Sequence, residues 1–539
     1  MNAPRGKIFT GSDFLRKRAV CVFALMTAVF AFLGFRINEI SSQTVAAGNA
    51  SAGIRLDIAN LRGTVYDCNM KPLTNCETSY YAIAKPTLKA ISLLEKELAP
   101  HSFSAVREKL SSGEPVAVKV GSDISVGDDV TVVSFPERYD SLACHIIGYL
   151  GNNGRGVSGI EKSFDGLLSD AGHELYARVA TDANGRVLIG EKTQIFGNEF
   201  PKSGVILTLD RDIQRIAENA LDDSGAECAA VVVMDIHTGA VKACVSRPDF
   251  DRNNIASVLN NPDSPLINRA FSAFSVGSVF KPVVAAAALE NGIGEDYSYE
   301  CTGSVTLNGV TFNCHKKDGH GVIDMETAVA LSCNTYFISL ALEVGADKII
   351  ETAKAFGFGE QTVFADLLRS KGGNLPDKID SKAATANLAF GQGELTATPV
   401  QICTMMAIIA NGGHKVRPNL VEGEVDLQGN AIRAGGYYER RQIISQRTAL
   451  LLQKFLEAVV EKGSGSRARS ELFAVAGKTA TAQTGKTENG EEIYNAWFAG
   501  YFPADKPEYA VVILKENGGE GAVSCAPVFK EIAQGIKAR

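Results

Sequence analysis

An uninterrupted apolar run at residues 19–35 dominates the N-terminal part of the chain. It holds no charged residue, and Arg16, Lys17 and Arg18 precede it while Arg36 follows it. A run of this length is near the lower limit for a helix that spans a bilayer. Because the cations cluster before the run, the positive-inside rule predicts a cytoplasmic tail at 1–18, a transmembrane anchor at 19–35 and export of the rest. A signal peptide, cleaved near the small residues at 46–48, is the alternative.

After the anchor, the pattern of polar and apolar residues changes twice. Residues 36–54 are polar and rich in Ser, Ala, Gly and Asn, which predicts a flexible linker. Residues 55–200 alternate short β-like runs with helical ones, which predicts an α+β module. Residues 204–539 place β-like runs at both ends of a long helical middle, which is typical of an antiparallel sheet with a helical subdomain. The strands predicted in this last region are 229–235, 241–245, 473–481, 496–501 and 510–514, and helix 526–536 closes the chain.

One helix in the helical middle is apolar on nearly every side, and this pattern predicts a buried position. It follows the glycine turn at 275–277 and is stopped by Asn291 and Gly292. Only Ser278 and Lys281 interrupt its first turns, and their spacing places the hydroxyl and the amine on one face. Burial favours the neutral form of an amine, and a neutral amine can accept a proton from a neighbouring hydroxyl. The pair is therefore a candidate activated nucleophile, although the same spacing also occurs by chance in helix caps with a solvated lysine.

Composition excludes some classes of function. The chain has 539 residues, of which 45% are hydrophobic and 21% charged, which is ordinary for a globular protein of several domains. The formal net charge is −7, and no basic patch stands out, so nucleic acid is not an expected partner.

The eleven cysteines are an odd number and are many for an exported chain. No C-x-x-C pair is present, so neither a zinc site nor a cofactor is expected. Cys301 and Cys314 flank a hairpin-like stretch at 303–312 and form the pair that a disulfide would most readily join, although an anaerobic host would leave them reduced.

Two further polar groups interrupt otherwise structural segments. Ser332 and Asn334 lie inside the helix-like stretch 325–344, and Lys478, Thr479 and Thr481 lie in a predicted strand. Alternation along that strand would put Lys478 and Ala480 on one face and the two threonines on the other. Each group alone is common without function.

Together and in this order the three groups resemble the S-x-x-K, S-x-N and K-[T/S]-G motifs of the penicillin-recognising serine acyl transferases. Further blocks extend the resemblance to the class B penicillin-binding proteins, the monofunctional peptidoglycan D,D-transpeptidases of division, elongation and sporulation. These blocks are RGTVYD at 62–67, GVSGIE at 156–161, GHG at 319–321, GQGELTATP at 391–399 and ANGG at 410–413. The resemblance covers residue 55 to the C-terminus, and it implies an elongated α+β pedestal domain of the dimerisation type at 55–200 and a transpeptidase domain at 204–539.

The resemblance also implies roles for residues. Ser278 would attack the penultimate D-Ala carbonyl of a stem pentapeptide, with Lys281 as its base. Ser332 would relay a proton to the leaving amine, and Asn334 would hold the substrate amide or Lys281. In the third motif Lys478 would supply positive charge, the hydroxyls of Thr479 and Thr481 would hold the substrate carboxylate, and the N–H groups of Ser278 and Thr481 would form the oxyanion hole.

β-Lactams would acylate the same serine, and weak D,D-carboxypeptidase activity could accompany transpeptidation. Residues 55–200 hold no paired-glutamate helical cluster of a glycan polymerase, so the resemblance implies a separate polytopic membrane glycosyltransferase as partner. The anchor and the first module are expected to make that contact.

Ala480 departs from the family pattern, which ends its third motif in glycine. Because alanine adds a single methyl group, we expect activity to be retained; a catalytically degenerate scaffold is the alternative. A β-lactam sensor would need cytoplasmic output machinery that residues 1–18 do not provide, and a β-lactamase would need a fast deacylating base and no anchor. Residues 480–487 mimic a phosphate-binding loop but lack its first glycine.

Three other polar residues, His320, Arg62 and Glu161, have simpler interpretations. His320 lies between two glycines and is more typical of a turn than of a general base. Arg62 and Glu161 are expected to be structural, as ion-pair or turn residues.

Overall fold

The computed structural model describes residues 11–48, 53–169, 174–197, 199–433, 441–488 and 490–539. The chain divides into two compact units. The first comprises Met1–Ala59, Ser79–Phe135 and Glu174–Asn198, and the second comprises Asn60–Thr78, Pro136–His173 and Glu199–Arg539. The predicted module at 55–200 therefore contributes to both units, because two of its segments pack with the C-terminal region.

The elements are numbered in chain order. The helices are α1 (Gly11–Gly48), α2 (Leu88–Glu97), α3 (Pro100–Ser111), α4 (Cys144–Ile147), α5 (Gly159–Ser163), α6 (Asp165–Leu168), α7 (Arg211–Asp223), α8 (Lys281–Glu290), α9 (Met325–Ala330), α10 (Asn334–Val344), α11 (Ala346–Phe356), α12 (Lys382–Ala389), α13 (Pro399–Ala410), α14 (Gln446–Lys462), α15 (Gly521–Ser524) and α16 (Ala526–Lys537). The strands are β1 (Gly53–Asn60), β2 (Thr64–Tyr66), β3 (Thr74–Ala84), β4 (Val116–Val120), β5 (Val130–Tyr139), β6 (Glu174–Ala180), β7 (Gln194–Phe196), β8 (Gly204–Leu207), β9 (Ala229–Asp235), β10 (Val241–Arg247), β11 (Phe274–Ser275), β12 (Tyr299–Cys301), β13 (Ser304–Leu307), β14 (Val310–Asn313), β15 (Gly321–Ile323), β16 (Val363–Ala365), β17 (Leu368–Arg369), β18 (Thr396–Ala397), β19 (Val421–Val425), β20 (Ala431–Arg433), β21 (Ala476–Glu488), β22 (Glu491–Phe502) and β23 (Tyr509–Lys515).

Helix α1 is the apolar N-terminal element, and it is longer than the predicted anchor. Leu15–Ile37 is long and apolar enough to cross a membrane, with a mean hydropathy of 2.2 and none of that stretch buried in the protein. The helix continues to Gly48, so much of the predicted linker is helical. A fully exposed apolar helix of this length is typical of a membrane anchor.

The first unit is built on two three-stranded sheets, with strand orders β1-β6-β7 and β4-β3-β5. Helix α2 begins where the Thr87 hydroxyl accepts a hydrogen bond from the Ala90 N–H, which caps the helix. Its apolar residues Ala90 and Leu94 pack with Leu110 of α3 against the second sheet. This part of the α+β prediction is confirmed.

A five-stranded antiparallel sheet, ordered β10-β9-β23-β22-β21, organises the second unit. Both of its faces are buried, and strand β9 shows how: Ala230, Val232 and Met234 join one core while Val231 and Val233 join the other. Helices α7 and α16 cover the second face, and α13 and the helical subdomain cover the first. The predicted sheet with a helical subdomain is therefore present, and β21 is one of its two edge strands.

A buried ion-pair network supports the N-terminal segments of the second unit. Arg62 is 2% exposed and contacts Glu161 at 3.1 Å and Asp165 at 2.9 Å. Arg138 contacts the same Glu161 at 2.7 Å. The interpretation of Arg62 and Glu161 as structural ion-pair residues is confirmed, since both belong to a network that joins the chain near residues 62, 138 and 161–165.

Candidate active site

Ser278 lies on a tight turn at the start of the buried helix. The segment Gly277–Phe280 forms a 3₁₀ turn that continues directly into α8. Val279, Phe280 and the residues of α8 from Lys281 to Ala288 are buried, so the turn is fixed by packing on several sides. Ser278 itself is only half-buried. The sequence pattern therefore predicted the helix correctly, and the turn presents the one hydroxyl that remains accessible.

Gly277 is required by the local geometry. Its φ is +58°, in the left-handed region, and a Cβ here would lie 3.0 Å from the Ala482 Cβ on strand β21. Its N–H donates to the Gly391 carbonyl at 2.9 Å, and a Cβ on Gly391 would lie 2.0 Å from the Gly277 oxygen. The two glycines allow three backbone segments to meet around Ser278.

The Lys281 amine is completely buried and points at the second motif. Its Nζ donates to the Ser332 carbonyl at 2.6 Å and to Asn334 Oδ1 at 2.8 Å, and lies 3.2 Å from Ser332 Oγ. The Phe337 ring centroid is 5.3 Å away. No hydrogen bond joins Lys281 to Ser278 among the described residues. Catalytic hydrogen bonds are often long in the absence of substrate, so this spacing does not exclude a proton transfer between them.

Burial lowers the pKa of Lys281 to about 7 by removing solvent from the charged form. The neutral amine has two N–H groups and one lone pair. The Ser332 carbonyl and Asn334 Oδ1 can take the two N–H groups, which leaves the lone pair for the Ser332 hydroxyl. Every hydrogen-bonding group of a neutral Lys281 amine therefore has a partner in this position. Because its pKa is about 7, the amine can gain or lose a proton near neutral pH.

The segment from Ser332 to Asn334 breaks the predicted helix 325–344 in two. Helix α9 ends at Ala330 and α10 begins at Asn334, while Ser332 has a φ of +54°. The Asn334 amide is fixed in orientation because Nδ2 donates to the Asn313 carbonyl at 3.1 Å while Oδ1 accepts from Lys281. The break turns both polar side chains toward Lys281, which a continuous helix could not do.

Lys478 brings a second buried amine to the same place. It is 0% exposed on strand β21, and burial together with the nearby charge of Lys281 lowers its pKa well below the ordinary value. Its Nζ donates to the Thr479 carbonyl at 3.0 Å. The neutral form of Lys478 is therefore favoured in the free protein, and an anionic ligand bound beside it would favour its charged form.

The two threonines of β21 differ in their surroundings. The Thr479 hydroxyl is 7% exposed and pairs with the Ser464 hydroxyl at 2.9 Å, whereas Thr481 is exposed and accepts from the Gly521 N–H at 3.4 Å. Sequence analysis missed Ser464. Its own N–H donates to the Ala330 carbonyl at the end of α9, so it links β21 to the break that holds Ser332. The glycines on either side of it were the only local signal.

Ala480, which stands where the family motif has glycine, is buried. It is 4% exposed and belongs to the core on the first face of the sheet, together with Ala482. A Cβ built on Gly277 would lie 3.5 Å from its methyl group. The methyl therefore fills space next to the nucleophile turn.

Residues 484–487, part of the phosphate-loop mimic, lie in the hairpin of β21 and β22. The strand pairing shifts register between Gln483 and Thr487. No helix begins there, so the amide groups of a phosphate-binding loop are not formed.

The expected disulfide between Cys301 and Cys314 is not present, and this expectation is corrected: all eleven cysteines are free thiols. Instead, the sulphurs of Cys301, Cys314 and Cys333 and a ring nitrogen of His320 all lie within 4.8 Å of one another. His320 Nδ1 is 3.5 Å from Cys301 Sγ and 3.6 Å from Cys314 Sγ, and the sulphurs of Cys314 and Cys333 are 3.9 Å apart. We call these four residues the thiol cluster.

The thiol cluster fits a tetrahedral Zn²⁺ ion. Zn–S bonds of about 2.3 Å and Zn–N bonds of about 2.0 Å at tetrahedral angles place two sulphurs about 3.8 Å apart and a sulphur and a nitrogen about 3.6 Å apart. The three separations given above, 3.5, 3.6 and 3.9 Å, agree with these values, and the other pairs of donor atoms lie within 4.8 Å of one another. Such an ion would be held by four protein donors with no open position, so it would supply cross-linking of the chain and no reaction chemistry.

The cluster is assembled by glycines and by three separate elements. Cys301 ends β12, Cys314 follows β14, and Cys333 caps α10 between Ser332 and Asn334. Gly319, with a φ of +74°, brings His320 close: a Cβ there would lie 2.0 Å from the Cys301 oxygen. Ligand spacing along the chain did not indicate this site, because the four donors meet only after the hairpin of β13 and β14 folds onto α10.

A known protein family matches the part of the chain that holds this site. The family described as penicillin binding protein transpeptidase domain matches residues 229–534, which hold all three motifs. The chain belongs to the penicillin-binding protein transpeptidase family. The resemblance to class B penicillin-binding proteins is thereby confirmed.

Relatives of this chain include at least four proteins that are 30% identical to it or more. The chain is 32% identical to the peptidoglycan D,D-transpeptidase MrdA of Acinetobacter baumannii and 30% identical to the stage V sporulation protein D of Bacillus subtilis. These matches cover 71% and 70% of this chain but only 61% and 59% of the two relatives. The chain thus spans about three fifths of the length of each.

A solved structure of the same family is that of penicillin-binding protein 3 from Mycobacterium tuberculosis, which superposes with a TM-score of 0.64 at 26% identity. The similarity covers 90% of this chain and 97% of that one. Structures of that protein with aztreonam and with ampicillin superpose equally well. The predicted penicillin-recognising serine transferase fold is confirmed.

Proposed function

We propose that this protein is a peptidoglycan D,D-transpeptidase that cross-links stem peptides through an acyl-enzyme on Ser278. The observation that carries the proposal is the environment of Lys281: a fully buried amine, with a pKa of about 7, whose bonds run to Ser332 and Asn334. Such a group can accept a proton near neutral pH next to an accessible hydroxyl. Family membership supports the reaction class, and β-lactams are the expected inhibitors.

The first half-reaction transfers the acyl group to the protein. Ser278 Oγ attacks the carbonyl carbon of the penultimate D-Ala, and its proton passes to neutral Lys281. The C–N bond to the terminal D-Ala breaks as that amine takes a proton relayed through Ser332. The N–H groups of Ser278 and Thr481 stabilise the oxyanion, while Lys478 and the threonines hold the terminal carboxylate. The free edge of β21 offers hydrogen bonds to an extended stem peptide.

The second half-reaction releases the protein. The amine of a neighbouring stem attacks the ester carbon and gives up a proton to Lys281. Lys281 passes this proton to Ser278 Oγ as the C–O bond breaks, which leaves a new amide cross-link and restores the free serine and the neutral amine. Water as acceptor would instead give weak D,D-carboxypeptidase activity.

The test uses the full chain in detergent with fluorescent benzylpenicillin. We expect one covalent adduct per chain by intact mass, mapped to the peptide that contains Ser278, and no adduct in Ser278→Ala. Ser272→Ala, a half-buried serine close by in sequence, is the matched control and should label normally. An unlabelled native chain, or a label that persists in Ser278→Ala, would contradict the proposal.

The membrane arrangement and the polymerase partner belong to the same proposal. Helix α1 would cross the membrane once at Leu15–Ile37, with the cytoplasmic side at the cationic N-terminus. A polytopic glycosyltransferase would bind this helix and the first unit. Replacing residues 15–37 by an unrelated membrane helix should reduce co-purification of the polymerase while penicillin labelling stays intact. Unchanged co-purification would exclude the helix from the contact.

A further inference from the structure

We propose that the thiol cluster is a reversible oxidation site, in which a disulfide between Cys314 and Cys333 forms and disables the transpeptidase site. The inference rests on the proposed function, since it concerns the regulation of that same site. It starts from a structural fact: Cys333 is the middle residue of the Ser332–Asn334 segment that holds Lys281. Any chemistry at its sulphur therefore acts within the chain segment that positions the catalytic amine.

Proximity selects the pair that would join. The sulphurs of Cys314 and Cys333 lie 3.9 Å apart and share a hydrogen bond, with both side chains buried. A disulfide bond brings two sulphurs to about 2.05 Å, so a shift of roughly 1 Å on each side closes it. His320 contacts both Cys301 and Cys314, so it also holds the second sulphur in place.

Exposed residues lie next to the cluster in the chain. Residues 315–318, which follow Cys314 directly, are exposed, and His320, which contacts Cys314, is half-buried. A peroxide is small enough to reach the sulphurs when this exposed segment opens locally. Export from the cytoplasm, which the anchor predicts, would place this loop where oxidants are not removed by cytosolic thiols.

The reaction balances with a peroxide as the oxidant. One thiolate attacks hydrogen peroxide, which breaks the O–O bond and leaves a sulfenic acid and hydroxide. The second thiol attacks that sulphur, the S–O bond breaks, and water leaves as the disulfide forms. If Zn²⁺ occupies the cluster, loss of two thiolate donors releases it. A dithiol reductant reverses the disulfide by thiol exchange.

The consequence for the active site follows from the backbone. Ser332 holds a left-handed conformation and Asn334 starts α10, so pulling Cys333 toward Cys314 moves both partners of Lys281. Misplacement of a catalytic group by about 1 Å can lower a rate about 100-fold. We therefore expect oxidation to lower the penicillin acylation rate by about that factor.

The experiment treats the full chain in detergent with hydrogen peroxide and follows three quantities. These are the acylation rate with fluorescent penicillin, the disulfide map from peptide masses, and zinc release to a chromophoric chelator. We expect a Cys314–Cys333 cross-link with a loss of 2 Da, an acylation rate lowered about 100-fold, and recovery of that rate with dithiothreitol.

Two variants sharpen the result, and each is compared with its own untreated sample. Cys314→Asp keeps an oxygen donor but no sulphur, so its acylation rate should not change on oxidation. Cys76→Ser removes a half-buried thiol outside the cluster and should remain as sensitive as the native chain. If Cys314→Asp does not fold, the disulfide map and the rate recovery of the native chain decide the question alone.

The outcomes separate this inference from the proposed function. A native chain that never acylates refutes the proposed function. A native chain that acylates at an unchanged rate after the cluster thiols are oxidised refutes the inference. A cross-link that maps to other cysteines, or a rate loss that is equal in Cys314→Asp, also refutes it.

Discussion

Lys281 illustrates how one residue gains its reactivity from its position. The same side chain on a solvated helix would keep a pKa near 10.4 and be charged at neutral pH. Here complete burial lowers the pKa to about 7, and two carbonyl oxygens and a hydroxyl satisfy the neutral amine. Sequence analysis predicted the burial from the apolar helix and the neutral form from the burial. It did not predict that Ser332 and Asn334 would be the partners, since their helix had to break first.

The rate of penicillin acylation should depend on pH through Lys281. Because the pKa of this amine is lowered to about 7, the neutral base is depleted as pH falls below 7 and is complete above it. We expect the rate to rise about tenfold per pH unit from 5 to 6 and to level off above 8. Stopped-flow labelling measures this acylation rate. In the control variant Lys281→Arg the side chain stays charged, so the rate should stay low at every pH. A rate that is constant from pH 5 to 8 would rule out Lys281 as the base.

Substitution of Ala480 tests the departure from the family pattern. Its methyl group packs beside Gly277 in the core, so Ala480→Gly removes a small contact and adds backbone freedom. We expect the acylation rate to change by less than about tenfold, and the free energy of unfolding to fall by about 0.5–1 kcal/mol. A gain of several hundredfold in the penicillin acylation rate would show that the native site is poorly active. It would favour the alternative of a catalytically degenerate scaffold.

At the scale of elements, the nucleophile turn depends on where strand β21 lies. Strands β9 and β10 and helices α8 and α16 were predicted to within a few residues, because apolar runs in a buried sheet and an apolar helix are strong local signals. The end of α9, the start of α10 and the 3₁₀ turn at Ser278 were not, because they are set by packing against β21 and the loop at Ser464.

Gly277→Ala should damage the site more than a comparable change elsewhere. The new Cβ would be strained at a φ of +58° and would lie 3.0 Å from Ala482, so the Ser278 turn must shift. We expect a loss of about 1–2 kcal/mol in the free energy of unfolding and an acylation rate lowered at least about tenfold. Gly292→Ala, with a φ of +87° and open space around it, should cost stability alone. Equal acylation by both variants would contradict this account.

The thiol cluster should bind zinc and stabilise the hairpin of β13 and β14 against α10. We expect one Zn²⁺ per native chain by mass spectrometric metal analysis, and a lower melting temperature after chelation. Cys314→Ser should lose the zinc, whereas Cys76→Ser should retain it. A native chain that is free of zinc at micromolar metal, with a melting temperature unaffected by it, would count against a metal site.

At the scale of the whole molecule, the chain combines an exposed apolar helix with two compact units. Net charge and composition gave no reason to expect a nucleic-acid partner. The anchor was predicted from a single run of residues, because membrane insertion depends on local hydropathy. The interleaving of segments 60–78 and 136–173 with the C-terminal unit was not predicted, because it depends on pairings such as β2 with β8 that are distant in sequence.

Retention of the anchor can be measured directly. We expect the mature chain to keep its N-terminal residues, to resist carbonate extraction from membranes, and to become extractable when residues 1–37 are deleted. N-terminal peptide mapping by mass spectrometry provides the readout, with penicillin labelling as the control for folding of the deleted form. A mature N-terminus close to residue 48 would favour the cleaved signal peptide.

The sequence by itself determined the buried helix of Ser278 and Lys281, the strands of the central sheet, the membrane helix and the family, because each depends on residues close together in the chain or on short motifs. The tertiary structure decided the rest: which groups Lys281 contacts, that Ser464 supports Thr479, and that four distant donors form the thiol cluster. These features require chain segments that lie 15 to 53 residues apart to meet. The free energy that brings them together comes from burial in the shared core, which no local pattern contains.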